Sequence, residues 1–380
     1  MSESIHTFKW FLPTSIRSRE KYHEFDITQQ CKRFFSHPDY VSRKIKFDVE
    51  YRVDQTFLDK VEEIRIRIFP FTDAPMSNMK EADTIAKREI DVSPEFKHIF
   101  QRGNLRLAYG LVIIEIRFKA DQEYPTMLKL HEETDIRKVL NWNMDFEHMV
   151  LKLTTLTKDL CAFFLLGLHI TFPSFATDHR SARGQSMGLI ALRGTDTYIK
   201  DVHSDVLSYP LLLEASKKQQ LASNLTEIAK VWHKDVWSFH RFIKAVQSDH
   251  TTIDQFLDLV FTLESFFDKN TSTETMRLVT AVLAGHDRKS AAAIDQLVAD
   301  CFLIRNEVVH GGMHYRLHDD NPRKAKGTQK TKMILELFWE LKNLNIRLLQ
   351  LGIEKLISDR NPIPAKSIRF STNDIIDRIF

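Results

Sequence analysis

The hydrophobic pattern of this chain changes period near its middle, and that change limits the available folds more than any other feature. Before about residue 210, apolar residues recur at every second position. Ile45, Phe47, Val49, Tyr51 and Val53 alternate with polar neighbours, and Ile64, Ile66 and Ile68 do the same. Val112, Ile114, Ile116 and Phe118 repeat the pattern around Glu115 and Arg117. A period of two with β-branched and aromatic residues predicts strands with one buried face. "QRGNLR" at 101–106 supplies a turn signal between two such segments. Residues 136–170 read as helix, "LIALRG" as a further short strand, and the polar stretch 172–188 between them as a loop. Residues 1–210 are therefore expected to form an α+β domain.

After that point the period lengthens to 3.6. Leu225, Ile228, Trp232, Phe239, Ile243 and Val246 follow it, as do Ile253, Phe256, Leu257, Val260 and Phe267. "TSTE" at 271–274 has the form of a capping box, with the Thr271 hydroxyl accepting from the Glu274 amide. The helix it opens carries Met276, Val279, Val282 and Leu283, and Gly285 is a suitable stop. A fourth helix is predicted from about Ser290 to His310, with Ile294, Leu297, Val298 and Cys301 on its apolar face. A fifth, over 331–357, presents Ile334, Leu337, Phe338, Leu341, Leu344 and Leu348. Amphipathic helices with short connections make an all-α bundle, assigned here to 211–358, with 359–380 as a C-terminal tail.

Composition narrows the function classes. A length of 380 residues suits two domains, and a net charge of +3 means that any surface for an anionic partner is local. Cys31, Cys161 and Cys301 lie far apart with no C-x-x-C pair, which argues against a zinc ribbon, a thioredoxin-type site and a disulfide framework and suits a reducing cytosol. "MSESIHTFKW" has neither the basic leader nor the apolar core of a signal peptide. The greasiest run, "LCAFFLLGLHI", is about half the length a bilayer crossing needs. The expectation is a soluble cytoplasmic protein without membrane contact.

One stretch resists a purely structural reading. "CFLIRNEVVHGG" (301–312) has the form of the last turns of an apolar helix halted by Gly311 and Gly312, yet it spends Arg305, Asn306 and His310 where aliphatic residues would pack. A histidine on the last turn lies beside unsatisfied carbonyls and the negative end of the helix dipole, and imidazole changes charge near neutrality, so His310 is suited to proton transfer. Arg305 offers a planar, permanently charged fork that matches phosphate oxygens. Asn306 can orient either. Positions 306 and 310 share a face, whereas 305 must reach across. One helix tip is therefore a half-site, and two tips related by a two-fold axis would complete a cleft. Spacing alone also permits an ordinary helix-end arrangement. "RSREKYH" matches the same loose pattern through Arg17 and His23, which are expected on a solvated face.

"LIRNEVVHGG" resembles the signature of HEPN domains: an arginine, a polar residue, three more residues and a histidine at the end of a long bundle helix. The trailing glycines, "LESFF" at 263–267 and "ETMRLVTAVLAG" at 274–285 are similar to the Apea-like branch of that family. The resemblance covers about 215–357. It implies a HEPN-like bundle and a metal-independent endoribonuclease without cofactor, with Arg305, Asn306 and His310 catalytic in a cleft between two chains of a homodimer or higher homo-oligomer. It also implies an RNA substrate (transfer RNA in many relatives), a role in antiphage defence by abortive infection, and a phage-derived trigger for the N-terminal domain. The alternative is a non-catalytic HEPN module for dimerisation or RNA binding.

Other constellations are weighed on their residues. "NPRKAKGTQKTK" (321–332) carries Arg323, Lys324, Lys326, Lys330 and Lys332 and no acid, so it is either an RNA-backbone contact or a solvated loop. His310, His314 and His318 have helical spacing, but two glycines interrupt it and nothing completes a metal set. Tyr315 is as suited to packing as to stacking a base. Glu264 lies on an apolar stripe and wants a partner, for which Arg277 and Arg305 are the candidates; Glu264 and Arg277 are read as structural support. His233 and His240 among aromatics read as residues of the core edge. No P-loop, dinucleotide fingerprint, nucleophile elbow or H-E-x-x-H is present.

Overall fold

A computed structural model of the chain describes residues 4–14, 16–35, 55–71, 78–90, 109–120, 135–172, 186–193, 197–204, 211–247, 253–310, 325–357 and 368–375. By their internal contacts they fall into two units: Met1–Leu165 with His179–His233, and Leu166–Asp178 with Lys234–Phe380.

The first unit is built on a six-stranded sheet. Its strands are β1 (Ser4–Thr14), β3 (His23–Asp26), β4 (Val61–Pro70), β5 (Gly110–Ala120), β6 (Ser186–Arg193) and β7 (Thr197–Ser204). They pair antiparallel throughout, in the order β3-β4-β5-β1-β6-β7. A two-residue parallel pair, β2 (Ile16–Arg17) with β8 (Leu211–Leu212), stands apart from it. The expected alternation becomes register. Trp10 and Ile66 both lie opposite Ile114, while Phe8 and Ile64 lie opposite Ile116. Leu12 and Ile68 flank Val112 in the same way. Each of these residues is at most 1 % exposed, and each such side chain contributes about 1.5–3 kcal/mol by leaving water. Helices in this unit include α1 (Thr28–Phe35), α2 (Gln55–Lys60), α3 (Asn78–Ile90) and most of α4 (Ile136–Thr171), where Phe164 meets Phe25 of β3 at 5.9 Å between rings. The strand expected around Ile45–Val53 and the turn at 101–106 lie outside the described residues, as does most of the loop expected at 172–188.

The other sheet face is charged in part, beside the buried Phe11, Leu111 and Ile113. Lys9 stands opposite Glu115 on one side, and Arg65 on the other. Glu89, near the end of α3, meets Lys9 at 2.9 Å and Arg67 at 2.6 Å, and the same two cations meet Glu115 at 3.2 and 2.6 Å. Arg65 and Arg117 both bond Glu63 farther along.

The second unit is helical. It contains the end of α5 (Ala215–Gln247), then α6 (Ile253–Ser265), α7 (Thr273–Ala284), α8 (Arg288–Val309) and α9 (Ala325–Ile357). The last begins six residues before the expected 331. Phe256, Leu259, Leu263, Val279, Val298, Cys301, Leu341 and Leu348 are fully buried. Asn345 is buried among them and donates to the Leu259 carbonyl at 3.0 Å. The cap of α7 is one residue later than the sequence suggests: Ser272, not Thr271, accepts from the Thr275 amide, because TSTE offers three adjacent hydroxyls and only backbone geometry separates them. At the far end Gly285 is not left-handed. Its role is close approach, since a Cβ there would lie 2.6 Å from the Ala281 carbonyl and 2.9 Å from Ala291. Asp287 and Ser290 then form the capping box that starts α8.

Within the stretch assigned to a tail, residues 368–375 pack. Ile368, Phe370 and Ile375 are buried, the Phe370 amide donates to the Phe266 carbonyl at 2.7 Å, and Lys355 meets Asp374 at 2.6 Å. No helix among the described residues is long and apolar enough to cross a membrane.

Candidate active site

The feature that places the candidate residues is the exit from α8. Asp287 and Ser290 fix its start, and the buried Leu297, Val298, Cys301, Phe302 and Ile304 fix its rotation. With those residues inward, Leu303, Asn306 and His310 fall on the solvent side at steps of three and four residues, and all three are exposed. His310 is the C-cap residue, and its amide donates to the Asn306 carbonyl at 3.0 Å. The imidazole therefore stands where the helix leaves its last carbonyls, as the sequence suggests. Gly311 and Gly312 lie outside the described residues, with Tyr315, His314 and His318.

Arg305 turns the other way, towards α6. Its Nη1 donates to the Asn306 Oδ1 at 2.9 Å. Its Nε lies 3.5 Å from the Glu264 carboxylate, an ion pair longer than a strong hydrogen bond. Its guanidinium carbon stands 5.6 Å from the centroid of Phe261, a cation–π distance. Three neighbours thus hold the fork while 27 % of the side chain stays in solvent. Burial raises the Glu264 carboxyl above its ordinary value, and the positive charges of Arg305 and Arg241 only partly offset this.

Of the two partners considered for Glu264, the structure brings Arg305. Arg277 faces α8 instead and makes a two-pronged bond to Asp295, at 3.0 and 2.7 Å. It ties α7 to α8 and does not support the site. Lys326 and Lys330 fall on the first turns of α9, while Arg323 and Lys324 lie outside the described residues. His240 is half-buried. The Arg17–His23 pair departs from expectation: Arg17 is exposed and lies over the Tyr109 ring, but His23 is fully buried, 2.7 Å from Ser18 Oγ. Its inward direction is set by strand register, since His23 pairs with Ile68 on the apolar face, and burial lowers its basicity. The three cysteines are buried thiols whose ionisation burial pushes up, so none is an activated nucleophile.

Two site residues escaped the sequence. Phe261 lies one turn before Glu264 on α6, off that helix's buried stripe and half-buried. Arg241, from α5, stands 4.7 Å from the same ring and 2.8 Å from Asp258. The available signal was the D-x-x-F-x-x-E spacing of α6, which puts Asp258, Phe261 and Glu264 in one row. The end of α8 also carries exposed apolar residues: Leu303 is 58 % exposed and Val309 49 %.

Chemically, the tip offers an accessible imidazole and, on the same last turns, a guanidinium bonded to the Asn306 side-chain oxygen, groups able to move a proton and to meet an anion. Compared with protein-family models, curated proteins and solved structures, the chain finds no match.

Proposed function

We propose that this protein is a metal-independent endoribonuclease of HEPN type, with its cleft formed where two copies bring their α8 tips together. The observation that carries the reading is the exposed exit of α8, where His310 and Asn306 stand free of the core and Arg305 is aimed by Glu264, Phe261 and Asn306. In the reaction His310 takes the proton of a ribose 2′-hydroxyl, and O2′ attacks the adjacent phosphorus. The P–O5′ bond breaks, leaving a 2′,3′-cyclic phosphate, and His310 of the second copy protonates the departing O5′. Arg305 stabilises the charge gathering on the non-bridging oxygens. Dependence on the 2′-hydroxyl selects RNA over DNA. Arg323, Lys324, Lys326 and Lys330 are assigned to the RNA backbone, and the α+β part at 1–210 to control by a phage-derived trigger in antiphage defence.

The exposed Leu303 and Val309 favour association of copies beside the motif. They equally support a second reading, a HEPN module that dimerises without catalysis. Incubation of total RNA in EDTA with the purified protein, with and without phage lysate, separates the two. Cleavage to 2′,3′-cyclic ends that disappears in His310→Ala is the expected result. Equal cleavage by both proteins, or by neither under any condition, overturns the ribonuclease.

A further inference from the structure

The row of side chains on α6 does more than support Arg305. Asp258, Phe261 and Glu264 follow one another at three-residue steps, and each carboxylate anchors a different arginine: Asp258 holds Arg241 at 2.8 Å and Glu264 holds Arg305 at 3.5 Å. Both guanidiniums lie on the Phe261 ring between those anchors, at 4.7 and 5.6 Å from its centroid, which puts them no more than about 10 Å apart. Lys244 adds a third cation 3.7 Å from Asp258. Among the described residues, Arg241, Lys244 and Arg305 thus share the Asp258 and Glu264 carboxylates. Arg241 and Arg305 keep 26 and 27 % of their side chains in solvent.

We propose that Phe261, Arg241 and Arg305 form a nucleotide subsite beside the cleavage centre, in which Arg241 holds an RNA phosphate near the scissile one and Phe261 backs the base between them. The proposal rests on the ribonuclease reading and deepens it. Arginines held beside an aromatic ring can offer N–H edges to phosphate, and an aromatic platform beside cations is how single strands are held without sequence readout. Arg305 serves the bond that breaks, and Arg241 serves substrate length and register.

The test measures binding of a labelled single-stranded RNA dodecamer to protein carrying His310→Ala, which prevents turnover. Two probes are added separately: Phe261→Leu, and the neutral exchange Arg241→Gln with Asp258→Asn, which avoids stranding a buried carboxylate. Lys269→Ala, removing a charge from an exposed turn of the same unit, is the control. The dissociation constant is expected to rise about tenfold for each probe and less than about twofold for the control. The salt dependence should fall by about one phosphate contact for the Arg241 exchange. With His310 restored, the Arg241 exchange should raise KM for the dodecamer while kcat falls less than about threefold. Probes that bind like the control overturn the subsite even if the natural protein cleaves RNA. Probes that weaken binding in a protein that never cleaves leave the subsite standing and remove the nuclease.

Discussion

Two half-buried carboxylates, one in each unit, meet arginines and come to opposite states. Glu89 of the first unit is 9 % exposed; burial pushes its carboxyl up, but bonds from Arg67 and Lys9 outweigh burial and hold it below the ordinary value. Glu264 of the second unit is 27 % exposed and has Arg305 at 3.5 Å and Arg241 nearby, yet burial wins and its carboxyl lies above the ordinary value. The difference is closure. Around Glu89 two cations and two carboxylates bond one another crosswise at 2.6–3.2 Å, so each charge has its counter-charge in contact. Around Glu264 the contacts are longer and the cations spread over a ring. A closed network fixes a sheet face, whereas the open one leaves its guanidiniums partly in solvent.

The sharpest way to break that comparison is to remove the groups assigned to chemistry. His310→Ala and Arg305→Ala should each lower RNA cleavage by about a thousandfold, near 4 kcal/mol of transition-state stabilisation. Because His310 is exposed and Arg305 partly so, thermal midpoints should move by less than about 2 °C. A large loss of stability with a small loss of rate would make the tip structural.

The mirror experiment is Arg67→Met. It leaves Glu89 and Glu115 to share Lys9, and removing one member of a buried network this way costs about 3 kcal/mol. Urea denaturation should show that loss, while the specific activity of the folded fraction stays the same. If activity fell and stability held, the charged sheet face would belong to function and the contrast would collapse.

A third kind of charge sharpens the contrast from outside it. Lys342 is 1 % exposed, 4.9 Å from the Trp339 ring, and burial lowers its pKa from 10.5 to about 7. The unfolded chain then carries a proton at this position between about pH 7 and 10.5 that the folded chain does not, so stability should fall as pH drops through that window and level off below it. His169, fully buried and held well below its usual value by burial and by Lys342, extends the fall below pH 6.5. Lys342→Met should add about 2 kcal/mol at pH 7 and flatten the upper window, read from urea midpoints at pH 7–10. An unchanged slope there refutes the assignment.

How much of this was legible follows from the range of each interaction. Periodicity is local, so β4, β5 and the helices of the second unit could be read, and so could a motif wholly inside one helix tip. β1 was missed although it lies inside the sheet, because Ile5 and Phe11 at odd positions and His6 at an even one blur an alternation whose apolar members are Phe8, Trp10 and Leu12. Lys9 finds Glu89 eighty residues away, and no spacing rule reaches that far. His23 looked solvated amid "RSREKYHE" because its neighbours are polar, whereas a strand turns successive side chains to opposite faces. Phe261 and Arg241 come from different helices, and only packing brings them to one ring.

The smallest expected effect falls on the residue that opened the comparison. Glu264→Gln keeps the shape and an acceptor for Arg305 but removes the charge that orients it. Cleavage should fall about tenfold, near 1.4 kcal/mol, far less than for Arg305→Ala. The pH profile separates orientation from packing. With its carboxyl raised above the ordinary value, Glu264 takes up a proton as pH falls toward the acid range, before an ordinary glutamate would. The natural protein should therefore lose its advantage over the variant on that limb, and the two rate curves should converge at low pH. A ratio constant from pH 8 down to the acid limit would mean that the carboxylate merely fills space, and that the open cluster differs from the closed one in exposure alone.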